Sequence, residues 1–347
     1  RLIFWELTAG CNLKCIHCRA EATPERLKEE LSTSECLKVV DSIISFSRPI
    51  LILTGGEPLY RKDIFEIAGY ASGKGLRVAL ATNGTLITPE VAEEIVKAGI
   101  KRVSISLDGA TAGTHDTFRG EKGSFNKALE GFKNLQNLGM SVQLNTTIAR
   151  HNVKELPEIL KSALKMKADA LHVFMLVPVG CGLKVRDSQM LPPEEYEEVL
   201  NWFYRESKLH PEMEFKATCA PHYSRIMRQN AVKEGRMPGV SDEGMRARTK
   251  GCLAGTGVCF ISRLGVVQPC GYLPVEAGNV RKEELRDIWE KSPVFLSLRE
   301  PIKLGGKCGI CEYRKTCEGC RARAYAATGD YLSEEPYCVY QPLTRKS

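Results

Sequence analysis

The chain has 347 residues, is 43% hydrophobic and 26% charged, and carries a net charge of +7. That length and balance suit one large core, or one core with a smaller appended domain, and exclude a disordered chain. No apolar run reaches the roughly eighteen residues that span a bilayer, and the positive excess lacks the basic run or aromatic–basic interleaving of a nucleic-acid surface.

The first strand-like run, Ile3–Leu7, leads into Cys11, Cys15 and Cys18, three cysteines within eight residues. Four thiolates saturate a zinc ion or a cubane iron–sulfur cluster, whereas three leave one metal corner without a protein ligand. Further strand-like runs follow at Ile50–Leu53, Val78–Ala81, Val103–Leu107, Val142–Ile148 and Leu171–Leu176. Helical patterns lie between them. Ser32 with Glu35 forms a capping box, Thr88 precedes Pro89, and Asn152 precedes Glu155, while Gly75, Gly99 and Gly139 stand where helices should stop. Six βα units at this spacing predict an α/β fold with a parallel sheet, an open or partial barrel over residues 1–190. In such folds function collects at the carboxyl ends of strands. Thr54-Gly55-Gly56-Glu57-Pro58, Thr82-Asn83-Gly84, Ser106-Leu107-Asp108-Gly109 and Phe118-Arg119-Gly120 all fall there, and the two glycines would let backbone approach a ligand closely.

Residues 191–250 read as a helical bridging segment and possible substrate lid, with a helix from Pro192 to about His210 and a charged linker over 232–250. Between these lie Cys219, His222, Arg225 and Arg228. Either Cys219 or His222 could ligate a substrate metal and the arginines could pair with carboxylates; a helix start with a satisfied histidine is the competing reading. Residues 251–347 hold Cys252, Cys259, Cys270, Cys308, Cys311, Cys317, Cys320 and Cys338, enough thiols for two four-cysteine sites. Val258–Ser262 and Val266–Gln268 read as a hairpin bringing Cys259 and Cys270 together. Fourteen cysteines in a long chain without a visible leader point to metal ligation in reducing cytoplasm rather than to disulfides. Opening abruptly inside a strand-like run is what a chain lacking its first segment would show.

Cysteines at the spacing of Cys11, Cys15 and Cys18 after a first strand, with Gly55-Gly56-Glu57-Pro58 after the second, resemble the radical S-adenosylmethionine (SAM) superfamily, which implies a partial (β/α)6 TIM-like barrel. By that resemblance Cys11, Cys15 and Cys18 hold a [4Fe–4S] cluster whose open iron chelates SAM. Gly55, Gly56 and Glu57 would meet the SAM amino group, Asn83 and Ser106 its ribose or carboxylate side, Arg119 its carboxylate, and the backbone of His17 the adenine. An electron into the sulfonium would then release a 5′-deoxyadenosyl radical. The C-terminal cysteines resemble the SPASM domain, a small iron–sulfur domain. Matched by order, Cys252, Cys259, Cys270 and Cys320 would hold a first auxiliary [4Fe–4S] cluster, and Cys308, Cys311, Cys317 and Cys338 a second; one or both are expected. The compact run departs from the usual pattern, with two residues rather than three between Cys317 and Cys320.

Within this group, Thr218–Tyr223, Val267–Pro274 and Cys320–Tyr325 resemble the tetrapyrrole-modifying branch. The resemblance implies a decarboxylase of heme biosynthesis that converts two propionates of iron-coproporphyrin III to vinyl groups. It also implies an anionic iron-tetrapyrrole substrate, a ferredoxin- or flavodoxin-type electron donor and an electron acceptor of unknown identity. The alternatives are a didecarboxysiroheme deacetylase, an enzyme of heme d1 synthesis, a SPASM peptide maturase, or a zinc-binding interaction module.

Overall fold

The computed structural model describes residues 1–235 and 251–343. Most of the charged stretch read as a linker, from residue 236 on, lies outside the described residues. All six expected strands form: β1 Leu2–Glu6, β2 Ile50–Thr54, β3 Arg77–Thr82, β4 Arg102–Ser106, β5 Val142–Ile148 and β6 Ala170–Met175. Four more extend them: β7 Glu214–Thr218, β8 Val258–Ile261, β9 Val266–Gln268 and β10 Gly278–Asn279. Together they make one ten-stranded sheet in the order β10-β9-β8-β1-β2-β3-β4-β5-β6-β7. Strands β8 through β7 run parallel; β9 and β10 are antiparallel additions.

Two features differ from the sequence reading. The bridging segment is not only helical, because between its helices Pro193–Leu209 and His222–Lys233 it contributes β7 to the barrel edge. The C-terminal part is not a separate layer either, since β8 pairs directly with β1. One sheet therefore crosses both expected domain boundaries.

Alternation along the strands sorts the two faces. Ile3, Trp5, Leu53, Val103, Leu144, Val173 and Phe215 belong to the main core under the surrounding helices. The intervening residues face inward and are largely polar. At the foot of the barrel Arg102 Nη1 donates to Glu214 Oε2 at 2.9 Å, and Gln143 meets His172 Nδ1 at 2.8 Å. These contacts close the bottom of the barrel and leave the carboxyl rim open.

The helix signals hold with one exception. Ser32 caps Thr33–Phe46 with the reciprocal Glu35 contact, and Thr88 caps Pro89–Lys97. Gly75, Gly99 and Gly139 end helical segments in the left-handed region. Asn152 stands at the N-cap of the short 3-10 helix Val153–Glu155, but its side chain makes no cap bond. Its Nδ2 donates to the carbonyls of Asp108 (2.9 Å) and Thr147 (2.8 Å), which ties the β4 and β5 loops together at the rim.

Candidate active site

Cys11, Cys15 and Cys18 sit at the rim, on the loop that leaves β1. Backbone holds that loop on both sides: Lys14 N–H donates to Arg119 O at 3.2 Å, Ile16 N–H to Phe118 O at 3.1 Å, and Cys181 N–H to Cys18 O at 2.9 Å. Donors surround the three sulfurs. Leu13 N–H reaches Cys11 at 3.4 Å, Ala22 N–H reaches Cys18 at 3.5 Å, and Arg119 Nη1 lies 3.8 Å from Cys15. Burial pushes the Cys11 thiol up to about 12, with the charges of Glu57, Cys15 and Cys18 adding to the rise against the Leu13 N–H. Three thiolates on one short loop are costly without a cation among them, and a cluster of iron would supply one. The donor set therefore fits a cluster held by three thiolates, with N–H groups aimed at the sulfurs to tune it.

The Gly55-Gly56-Glu57 turn packs on the same loop. Gly56 N–H donates to Thr8 O at 2.7 Å and Glu57 N–H to Gly10 O at 2.8 Å. A Cβ on Gly56 would stand 2.4 Å from Ala9 O and 2.6 Å from Gly10 O, so this glycine is required by the approach of backbone to backbone. The Glu57 side chain is fully buried and already engaged. It accepts from Thr82 Oγ1 at 2.7 Å, Asn83 N–H at 2.8 Å and Leu59 N–H at 3.1 Å. Burial raises its carboxyl to about 7 against those hydrogen bonds. The expected carboxylate for a ligand is thus a strut between the β2 and β3 loops. Asn83 is similarly engaged: its Nδ2 donates to Asn12 Oδ1 at 2.9 Å, and its Oδ1 accepts from Thr85.

Arg119 is held by Asp108, with Nη2 to Oδ2 at 2.6 Å, and Asp108 in turn accepts from Thr147 N–H at 2.7 Å. Arg119 Nε has no partner among the described residues, which leaves one edge of a buried cation for a carboxylate. The His17 ring stacks on Phe118 with centroids 4.0 Å apart, and Phe118 stacks on His151. Ser106 ends β4 in register with Asn145. Asp108 and Asn12 are functional neighbours that sequence reasoning did not select, although Asp108 lies in a rim loop that it singled out.

The residues proposed for substrate sit elsewhere. Arg225 is buried and bidentate with Glu197, at 2.8 and 2.6 Å, so it is not free for a propionate. His222 is fully buried, both ring nitrogens lacking a partner among the described residues, and burial depresses its pKa to about 3. Both line one small pocket together with Cys308, Cys311, Cys317 and Cys338. His222 therefore faces the pocket that these four cysteines line. Arg228 is exposed on the same helix. Cys317 belongs to that cavity, whereas Cys320 belongs to a different apolar cluster with Cys270 and Cys219. Glu318 and Gly319, both left-handed (φ 64° and 63°), turn the chain between them, which is how a two-residue spacing sends its cysteines to two sites.

An open parallel barrel, three thiols at its rim and a cysteine-rich C-terminal extension define the radical SAM class of enzymes. The family model of the radical SAM superfamily matches residues 5–163, and that of the SPASM iron–sulfur cluster-binding domain matches residues 252–321. An AdoMet-dependent heme synthase of Methanosarcina barkeri is 54% identical over 99% of this chain and 97% of its own. Another from Nitratidesulfovibrio vulgaris is 48% identical over 99% of this chain and 93% of its own. Among solved structures, Streptococcus suis SuiB bound to its precursor peptide SuiA has a TM-score of 0.77 at 16% identity, covering 98% of this chain and 76% of that one; it shares the fold. The chain belongs to the radical SAM superfamily, in the SPASM-bearing family of these heme synthases. Its cofactors are accordingly [4Fe–4S] clusters and SAM, and the zinc module is set aside.

Proposed function

We propose that this enzyme oxidatively decarboxylates two propionates of iron-coproporphyrin III to vinyl groups in heme biosynthesis. The likeness to AdoMet-dependent heme synthases over almost the full length of both chains carries the reading. A Methanosarcina barkeri Fe-coproporphyrin III synthase, 32% identical over 97% of this chain, is a relative named for the porphyrin proposed here as substrate.

When bound at Cys11, Cys15 and Cys18, the cluster and SAM supply a 5′-deoxyadenosyl radical able to take hydrogen from carbon. Arg119, fixed by Asp108, offers its unpaired edge to the carboxylate of SAM. Glu57 holds the β2 and β3 loops against the Cys11 loop, so the geometry exists before ligand arrives. Each propionate would lose a hydrogen atom, carbon dioxide and one electron to an external acceptor, and the C-terminal cysteines would hold clusters able to take up such an electron. A ferredoxin- or flavodoxin-type donor supplies the electron that starts the reaction. No described helix is long and apolar enough to cross a membrane, and with all fourteen cysteines free a reducing cytoplasm is the proposed setting.

The test is anaerobic incubation of reconstituted enzyme with SAM, a strong reductant and iron-coproporphyrin III, followed by mass spectrometry. Formation of 5′-deoxyadenosine with loss of two carboxyl groups is expected. Cleavage of SAM with intact propionates overturns the substrate assignment, and acetate loss from didecarboxysiroheme would assign the chain to the deacetylating relative.

A further inference from the structure

We infer that Cys219, not Cys259, completes the ligand set of the first auxiliary cluster with Cys252, Cys270 and Cys320. The inference rests on the iron–sulfur domain and not on the identity of the substrate.

Cys259 is on the wrong face of the sheet. In the parallel pairing of β8 with β1, Cys259 stands beside Ile3 and Ile261 beside Trp5, and all four belong to the core under the helices. The intervening Phe260 points to the other face, where the Arg19 guanidinium lies 4.7 Å from its ring. Gly271, adjacent to Cys270, packs on that same Phe260, since a Cβ there would meet the ring at 3.1 Å. The sheet thus separates Cys259 from Cys270.

Cys219 is where the missing thiol should be. It packs in one apolar cluster with Cys270 and Cys320. The backbone ahead of Cys252 is pressed against the same turn: a Cβ on Gly251 would lie 2.7 Å from Pro221 O and 2.6 Å from Cys317 O. A hydrogen-bonded chain fixes Cys219 relative to Cys320. Cys320 N–H donates to Glu335 Oε2 at 2.6 Å, Arg323 pairs with Glu335 at 3.1 Å, Arg323 donates to Tyr196 Oη at 2.8 Å, and Tyr196 donates to the Cys219 carbonyl at 2.9 Å. Cys219 also occupies the left-handed region at φ 54°, a conformation that non-glycine residues keep when their surroundings impose it.

The consequence is architectural. Cys219 follows β7, one edge of the open sheet, and Cys270 follows β9, near the other. A cluster held by both joins the two edges across the gap that the strands leave.

The experiment compares full-length Cys219→Gly and Cys259→Ala with wild type after anaerobic reconstitution, reading iron, acid-labile sulfide and the EPR spectrum of the reduced protein. Glycine suits the left-handed backbone at position 219, so that variant removes the thiol without adding strain. Circular dichroism verifies that each variant is folded. Cys219→Gly should lose about four irons per chain, the content of one cubane, or shift the g values of one auxiliary signal, while Cys259→Ala keeps wild-type content and spectrum. An unperturbed spectrum in Cys219→Gly, or a perturbed one in Cys259→Ala, overturns the assignment.

Discussion

Glu57 shows how one buried carboxyl can govern the rim. Its acceptors serve Thr82, Asn83 and Leu59 at once, yet burial still lifts its pKa from 4.5 to about 7. A folded-state pKa above the unfolded one means the fold prefers the protonated form. That contribution is fully present below pH 4.5 and is lost as pH rises through 7. The shift corresponds to roughly 3 kcal/mol at about 1.36 kcal/mol per pKa unit. Glu57→Gln cannot ionise, so its stability relative to wild type should improve by roughly 2 kcal/mol between pH 5.5 and pH 8, read by denaturant titration at both. A constant difference would show that the carboxyl stays ionised throughout. Residue roles of this kind were only partly legible in the sequence. The cysteine triplet was, because its spacing alone dictates a tight loop of three thiols. The roles of Arg225 and His222 were not, because they are decided by Glu197, 28 residues from Arg225, and by cysteines that arrive only when the C-terminal part folds back.

At the scale of elements, the rim is assembled by backbone stacking on backbone. The atoms nearest a Cβ on Gly56 are the carbonyl oxygens of Ala9 and Gly10, at 2.4 and 2.6 Å, and as backbone neither can rotate away. Gly56→Ala should therefore displace the Thr8–Gly10 segment and with it Cys11, lowering the iron bound at the rim and SAM cleavage together. Gly69 is the matched control. It lies inside the helix Ile64–Gly73 with nothing near a Cβ, so Gly69→Ala should stabilise by roughly 0.5–1 kcal/mol with iron unchanged. Equal effects of the two substitutions on iron content would refute the stacking argument. The first six strands were legible because apolar runs separated by capped helices admit few other folds. Strand β7 was not: in Glu214–Thr218 only Phe215, with the small Ala217 against it, packs in the core, and Glu214 and Lys216 face the polar interior of the barrel. Strand β8 failed in the opposite way. All four of its residues are buried, so no alternation in the sequence tells which face Cys259 takes.

Across the whole molecule, a single sheet carries both the rim site and the strands of the C-terminal extension, and one buried ion pair fastens the far edge to it. Arg323 and Glu335 are both fully buried, and they connect Cys320 in the C-terminal part to Tyr196 on the helix before β7. Such a pair contributes little net stability when intact, but losing one partner strands the other charge, at a cost of about 3–5 kcal/mol. Here the stranded group would be an arginine whose Nη1 already lacks a partner among the described residues. Glu335→Gln should lower the melting temperature of the barrel and of the C-terminal part in one transition, because β8 and β1 share hydrogen bonds across the boundary. Thermal melts followed by far-ultraviolet dichroism and by iron–sulfur absorption should therefore coincide; separate transitions would mean that the two parts unfold independently. The double variant Arg323→Met with Glu335→Leu removes both charges and should recover most of the lost melting temperature. It should not recover auxiliary iron, because Cys320 N–H and the Tyr196 hydroxyl would still lack the partners that align Cys320 with Cys219. Recovery of stability without recovery of iron would separate what the pair does for the fold from what it does for the cluster.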